Sequence, residues 1–232
     1  MVVKNGFKKE KMKIVCISDC HGNFNFEVPE CDLLLIAGDV CPAYHDPLPS
    51  LELQKNWLKN EFNGWLGFQP AKHKVMIAGN HDWLFQISPE EVPELNCHYL
   101  EDSSIEIEEL KIWGSPWQLE FNNWAFNLTE KELKKKWNLI PDDIDILLVH
   151  SPPYGILDEL FEPGNKFIEN IGSPSLRKKI FEIIPKLVVF GHIHERGGYT
   201  EYVESPWPVK FVNACLLNDD YKICREPFLI NL

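Results

Sequence analysis

The sequence predicts an α/β protein whose β-sheets are covered by helices, and three observations predict it. Short, continuous apolar runs rich in β-branched residues recur along the chain, as strands buried on both faces require. The early runs alternate with stretches of helical spacing, and the later ones follow closely on one another. Five runs end in Asp, His or Asn: Val15 to Ser18 before Asp19-Cys20-His21-Gly22, Leu33 to Ala37 before Gly38-Asp39, Val75 to Ala78 before Gly79-Asn80-His81-Asp82, Ile146 to Val149 before His150, and Leu187 to Phe190 before Gly191-His192-Ile193-His194. Five strands therefore aim their ends at one place.

Residues 1–12 read as a solvated lead-in and residues 13–232 as one domain. Strands are expected at 13–18, 33–37, 74–78, 111–113, 146–150, 187–191, 209–213 and 228–231. Leu51, Leu53, Trp57, Leu58, Phe62 and Trp65/Leu66 recur at helical spacing, which predicts an amphipathic helix ending near Gly67. Thr129 to Glu132 has the spacing of a capping box and starts a second helix towards Trp137. A third begins at Ser175 and stops at Pro185, with Leu176, Ile180, Phe181 and Ile184 facing inwards. The aromatic-rich stretch 113–126 reads mainly as an ordered loop that buries its own rings, with a substrate wall as the alternative. Tyr44-His45-Asp46 and Pro152-Pro153-Tyr154 follow candidate ligands and are expected to rim a pocket.

Composition excludes several classes. The 232 residues are 44% hydrophobic and carry a formal net charge of −12, a surface that repels phosphate backbones, so no stable complex with long nucleic acid is expected. Seven cysteines without a Cys-x-x-Cys pair argue against a disulfide scaffold or zinc ribbon and for a reducing, cytoplasmic compartment. No apolar stretch reads as a signal peptide or a membrane span.

The residue types then suggest a chemistry. Asp19 and His21 lie two positions apart, so on an extended segment both side chains point the same way. With Asp39, Asn80, His150, His192 and His194 they give a mixed oxygen and nitrogen set without thiolate. That set suits Mn²⁺, Fe or Zn²⁺ better than Ca²⁺. Seven candidates are too many for one tetrahedral ion and fit two divalent ions sharing a carboxylate, for which Asp39 is the natural bridge. Ions roughly 3.5–4 Å apart clamp the oxygens of an in-line displacement and supply a hydroxide near neutral pH. Phosphoester hydrolysis follows as the leading expectation.

Asp19-x-His21, Gly38-Asp39, Gly79-Asn80-His81-Asp82, His150 and Gly191-His192-x-His194, in this order and each after a strand, resemble the calcineurin-like metallophosphoesterase superfamily. The resemblance implies a four-layer α/β/β/α sandwich of two mostly mixed sheets. It implies Asp19, His21, Asp39 and His194 on one ion and Asp39, Asn80, His150 and His192 on the other. It also implies His81 as the acid at the leaving-group oxygen, with Asp82 holding its ring. Longer stretches, among them 111–117, 123–127, 152–155 and 190–195, resemble the brain-type metallophosphoesterase-domain proteins and their microbial relatives. That subfamily is associated with Mn²⁺-assisted hydrolysis of small phosphodiesters, including 2′,3′- and 3′,5′-cyclic nucleotides. Cys20 stands where a hydroxyl residue is more usual, which predicts oxidation sensitivity, and Arg196 where a small residue is more usual, which bears on substrate preference.

Asn23, His45, Arg196 and Asn213 are candidate substrate contacts, Arg196 through a phosphate or, alternatively, in a salt bridge with Glu195 or Glu201. His73 and His98 read as surface or strand-edge residues, and Cys20 as a buried spectator rather than a ligand. Tryptophans of 113–124, if exposed, offer a homodimer face; self-packing accounts for them as well. A phosphomonoesterase and a metal-free scaffold of the same fold are the competing readings. The lack of an Asp-Arg-Gly run after Gly38-Asp39 speaks against a protein phosphatase.

Overall fold

The computed structural model describes residues 11–42, 51–162, 166–203 and 207–232. In chain order it contains β1 (Lys13–Ile17), β2 (Cys31–Ala37), α1 (Leu51–Trp57), a π-helical turn (Leu58–Phe62), α2 (Asn63–Phe68), β3 (Ala71–Ile77) and α3 (Trp83–Ile87). There follow β4 (His98–Tyr99), β5 (Ser103–Ile107), β6 (Leu110–Ser115), β7 (Gln118–Leu119), β8 (Asn127–Leu128), α4 (Glu130–Trp137) and β9 (Ile146–Val149). The remainder comprises β10 (Glu159–Glu162), β11 (Lys166–Asn170), α5 (Pro174–Ile183), β12 (Leu187–Phe190), β13 (Gly198–Tyr202), β14 (Val209–Asn213) and β15 (Phe228–Asn231).

Two mixed sheets organise the molecule. The first has the order β15-β1-β2-β3-β4, parallel except for β15. The second has the order β13-β14-β12-β9-β6-β5, with a parallel centre and antiparallel edges. Side-chain alternation along each strand makes three apolar layers. Ile14, Cys16, Leu33, Leu35, Val75 and Ile77 meet Ile112, Ile146, Leu148, Leu187 and Val189 between the sheets. Val15, Ile17, Leu34, Ile36 and Met76 face outwards onto Trp57, Leu58, Phe62, Leu66 and Leu84. Leu147, Val149, Val188 and Phe190 face outwards onto Leu133, Trp137, Leu176 and Ile180. Helix, sheet, sheet and helix thus stack in four layers, and the continuous apolar runs are explained by burial on both faces.

Local chemistry sets the helix limits. Thr129 N donates to Glu132 Oε2 at 3.0 Å, completing the capping box of α4. Ser173 caps α5 by accepting from Leu176 N at 3.1 Å, one turn position earlier than the expected start, and Ile184 ends it at a left-handed φ of 51° before Pro185. The expected helix from Leu51 to Gly67 is helical throughout but passes through the π turn, which widens one turn by a residue. Leu58, Phe62 and Leu66, four residues apart, line the buried side, and the wider turn lets Trp57 stack on Phe62, five residues on, at 5.5 Å. Among the described residues no helix is long and apolar enough to cross a membrane.

Candidate metal centre

β1, β2 and β3 run parallel to one another in one sheet and β9 and β12 in the other, and all five end on one edge of the two sheets, where Asp19, Asp39, Asn80, His150 and His192 emerge. The backbone there is not extended. Asp19 (φ 53°), His21 (φ 43°), Asp39 (φ 52°) and His192 (φ 74°) all lie in the left-handed region. Asp19 and His21 therefore converge because the chain turns sharply at each, not because an extended segment alternates, as the sequence suggests. Such backbone costs about 1–3 kcal/mol per residue and is held only where surrounding bonds dictate it. Here Asp19 N donates to Gly38 O and His21 N to Asp39 O, both at 3.0 Å. Gly191 is required by close approach, since a Cβ there would sit 2.1 Å from Asp19 Oδ2.

One cluster joins Asp19, His21 and His194. His21 Nε2 lies 3.2 Å from His194 Nε2, and His194 Nε2 lies 3.5 Å from Asp19 Oδ1. Three groups donate to the other carboxylate oxygen, Asp19 Oδ2: Ser18 Oγ at 2.5 Å, Cys215 Sγ at 2.8 Å and His192 N at 2.9 Å. Asp19 Oδ1 is left buried with no hydrogen-bond partner among the described residues. Asp39 links this cluster to the next: its Oδ2 is 3.7 Å from His21 Nε2 and 3.6 Å from His150 Nε2, while its Oδ1 accepts from His81 N at 2.7 Å. Beyond it, Asn80 Oδ1 faces His150 Nε2 at 2.7 Å and His192 Nδ1 at 2.8 Å. His150 Nδ1 lies 2.8 Å from Ala37 O, an acceptor, so Nδ1 carries a proton and Nε2 is the nitrogen turned to the centre; burial lowers the ring's pKa, but Asp39 and Asp19 raise it on balance, so a cation would displace a proton there.

An amide oxygen set against two imidazole nitrogens, a carboxylate oxygen buried without a donor among the described residues, and His and Asp ligand atoms gathered within 4.8 Å of one another are the surroundings a cation takes. Burial, assisted by the neighbouring imidazoles, lowers His192 to about 3 and drives His21 well below its usual value, which keeps both neutral and able to ligate. Burial, with Asp19 close by, raises Asp39 to about 6 in spite of His150. The residues fit a divalent metal site.

His81 reaches the rim of this centre, its ring 4.9 Å from His21 and 4.8 Å from Trp124. Burial lowers it to about 4, with the charge of Asp82 acting in the opposite direction. Asp82 does not hold the ring as expected. Its carboxylate is occupied by the backbone N–H groups of Gly79 (2.8 Å), Cys41 (2.9 Å) and Val40 (3.1 Å), and among the described residues no hydrogen bond joins it to the imidazole. It ties the loop after β3 to the loop after β2, so its part is to fix where Asn80 and Asp39 stand.

Of the expected substrate contacts, Asn23, Arg196 and Asn213 are engaged with other partners. Asn213 is fully buried and spends its side chain on Ile193 O, Leu157 O and Cys215 N. Asn23 turns its amide oxygen back to Asn25 N at 3.4 Å. Arg196 pairs with Glu159 at 2.8 Å, not with Glu195 or Glu201, and lies over the Phe161 ring. His45 lies outside the described residues, as do Tyr44 and Asp46. Cys20 is completely buried and its thiol is pushed far above the usual range, first by burial, so it is a spectator and not an oxidation-sensitive group. The tryptophans do not form an exposed face: Trp113 is buried and Trp117 and Trp124 are half-buried. His73 and His98 stand at the surface, on β3 and β4.

Four residues were not legible as site residues. Ser18 and Cys215 orient Asp19; Gln54 donates to His81 O at 2.7 Å and accepts from Leu84 N at 2.9 Å; and the Tyr221 ring sits 4.9 Å from His21. A small hydroxyl beside a ligand was the one available signal, at Ser18.

The calcineurin-like phosphoesterase family matches residues 12–196. The chain belongs to that family. Metallophosphoesterase domain-containing protein 1 of Homo sapiens is 34% identical over 248 residues, covering 95% of this chain and 71% of the relative. UPF0046 protein T07D4.2 of Caenorhabditis elegans is 33% identical, covering 97% of this chain and 61% of the relative. Among solved structures, phosphopantetheinyl hydrolase from Mycobacterium tuberculosis superposes with a TM-score of 0.57 at 15% identity, covering 96% of each chain. A putative 5′-nucleotidase from Staphylococcus aureus has a TM-score of 0.51 at 11% identity, covering 95% of this chain and 54% of that one. These two establish the shared fold; the family establishes a metal-dependent phosphoester hydrolase.

Proposed function

We propose that this calcineurin-like phosphoesterase hydrolyses small, singly charged phosphodiesters, with 2′,3′- and 3′,5′-cyclic nucleotides foremost. The observation that carries the reading is the charge of the groove of about 770 Å³ onto which the centre opens. Among its described lining residues there is no Lys or Arg, whereas Glu120, Glu130, Glu159, Glu169, Glu195 and Asp219 stand around it. Such a wall opposes a doubly charged monoester more than a diester, and opposes long nucleic acid most of all.

Asp19, His21, Asp39 and His194 would hold one divalent ion, and Asp39, Asn80, His150 and His192 the other, with Mn²⁺ the first candidate and Fe or Zn²⁺ alternatives. Bound there, such ions supply Lewis acidity toward phosphoryl oxygens and a nucleophile at neutral pH. His81 delivers the proton to the leaving oxygen. Because burial keeps it neutral in the free protein, it depends on the negative charge of the bound diester to hold that proton. Asp82 and Gln54 place it through the backbone, from either side of the loop.

The test is turnover of 2′,3′-cAMP, 3′,5′-cAMP, bis(p-nitrophenyl) phosphate and p-nitrophenyl phosphate with added Mn²⁺, with metal content measured in parallel. Diester cleavage is expected, abolished with the bound metal in Asp39→Ala and lowered about 10²–10⁴-fold with metal retained in His81→Ala. Cleavage of the monoester alone would assign a phosphomonoesterase, equal metal loss in both variants would contradict the role of His81, and failure to bind Mn²⁺ at micromolar levels would indicate a scaffold.

A further inference from the structure

The aromatic loop between β7 and β8 does not bury all of its rings. Trp117 and Phe126 pack inwards, 5.3 Å apart, but Phe121 remains 61% exposed and Trp124 lies against His81. Phe121 meets Trp124 nearly at right angles, at 5.4 Å and 73°, and both line the groove. An exposed phenylalanine on a loose loop would mean little. This one is anchored: Asn127 Nδ2 donates to Phe121 O and Asn122 O at 3.1 Å each, Phe126 N donates to Gln86 Oε1 at 2.8 Å, and Ala125 N donates to Asn80 O at 3.1 Å. The last bond fixes the loop to a residue of the metal centre itself. Tyr154 and Leu160, 44% and 38% exposed, line the same groove.

We propose that Phe121 and Trp124 form a step that receives a flat aromatic part of the substrate, a nucleobase in the case of a nucleotide, and so determine specificity. The inference rests on the phosphodiesterase reading and goes beyond it by assigning the part of the substrate distant from phosphorus. Three observations converge. The step adjoins His81, so whatever rests on it is within one small sugar of the reacting phosphate. A ring offers stacking to any base without needing a charge, which suits a groove with no Lys or Arg among its described lining residues. The carboxylate of Glu120, next to Phe121 and lining the same groove, is an acceptor for the amino groups that bases carry and aliphatic alcohols lack.

The experiment compares each cyclic nucleotide with the matching cyclic phosphate of methyl riboside, which has the same scissile bonds and no base. The wild-type protein should favour the nucleotide at least about tenfold in kcat/KM, expressed chiefly in KM, as loss of one stacked base implies. In Trp124→Ala and Phe121→Ala that ratio should fall towards one. Phe121→Leu keeps an apolar side chain but no ring, and a ratio that stays high in this variant would overturn the stacking role. Equal kcat/KM for the two compounds in the wild-type protein would overturn the step while leaving the phosphodiesterase reading intact. Absence of turnover on every diester, bis(p-nitrophenyl) phosphate included, would remove that reading and the step with it.

Discussion

The thiol of Cys215 stands 2.8 Å from Asp19 Oδ2, and both side chains are completely buried. Burial and the adjoining carboxylate push this thiol well above its usual range, so it remains protonated and donates. Together with Ser18 Oγ and His192 N it saturates one oxygen of Asp19 and leaves the other turned to His194. Cys215→Ala should therefore lower Mn²⁺ affinity by about 10–100-fold. Cys215→Ser, which restores a donor, should recover most of it. Isothermal titration with Mn²⁺ reads both, and equal losses in the two variants would mean that the thiol acts by bulk alone.

Asp82 bears on stability more than on proton transfer. Asp82→Ala would leave the N–H groups of Gly79, Cys41 and Val40 without their acceptor in a buried place. At about 1–3 kcal/mol for each orphaned donor, a loss of at least about 3 kcal/mol is expected in urea unfolding of the metal-free protein. A loss below about 1 kcal/mol would show that the two loops hold their positions without it.

Acid should weaken the metal-free protein partly through His81. Its folded value, about 4, lies below the unfolded one, so between pH 6.5 and 4 the unfolded chain binds the proton that the folded chain refuses. Stability owed to this group is thus complete above 6.5 and declines as pH falls. Asp39 and Asp82, raised to about 6 by burial, work the other way over the same acid range, which makes the whole-protein curve ambiguous. The difference between wild type and His81→Gln isolates the one group: wild type should lose about 2–2.5 kcal/mol relative to the variant between pH 7 and 4.5. Parallel curves would place the imidazole in a wetter setting than its neighbours indicate.

What was legible in the chain follows from distance along it. Asp19, Asp39, Asn80 and His192 each stand directly beyond an apolar run, and parallel strands deliver such positions to one edge, so pattern alone assembled the centre. Cys215 touches Asp19 across 196 positions and Tyr221 lies in a turn with no periodicity, so nothing local marked them. Asp82 misled because its neighbour His81 is a side chain one can read, while its true partners are backbone groups. The short hairpin of β10 and β11 escaped for a different reason: Lys166 to Glu169 are all exposed, and a strand without a buried face leaves no alternation to find. Likewise, the aromatic cluster around Phe121 and Trp124 left self-packing and a substrate wall both open, because such a cluster reports burial in general and not which ring is held out.

The π turn at Leu58–Phe62 decides how this helix would answer the loss of a residue. A π turn amounts to one surplus residue threaded into an α-helix. Deleting one residue within it should be absorbed by relaxation to a regular α-helix, at the expense of the stack that Trp57 now makes on Phe62 at 5.5 Å.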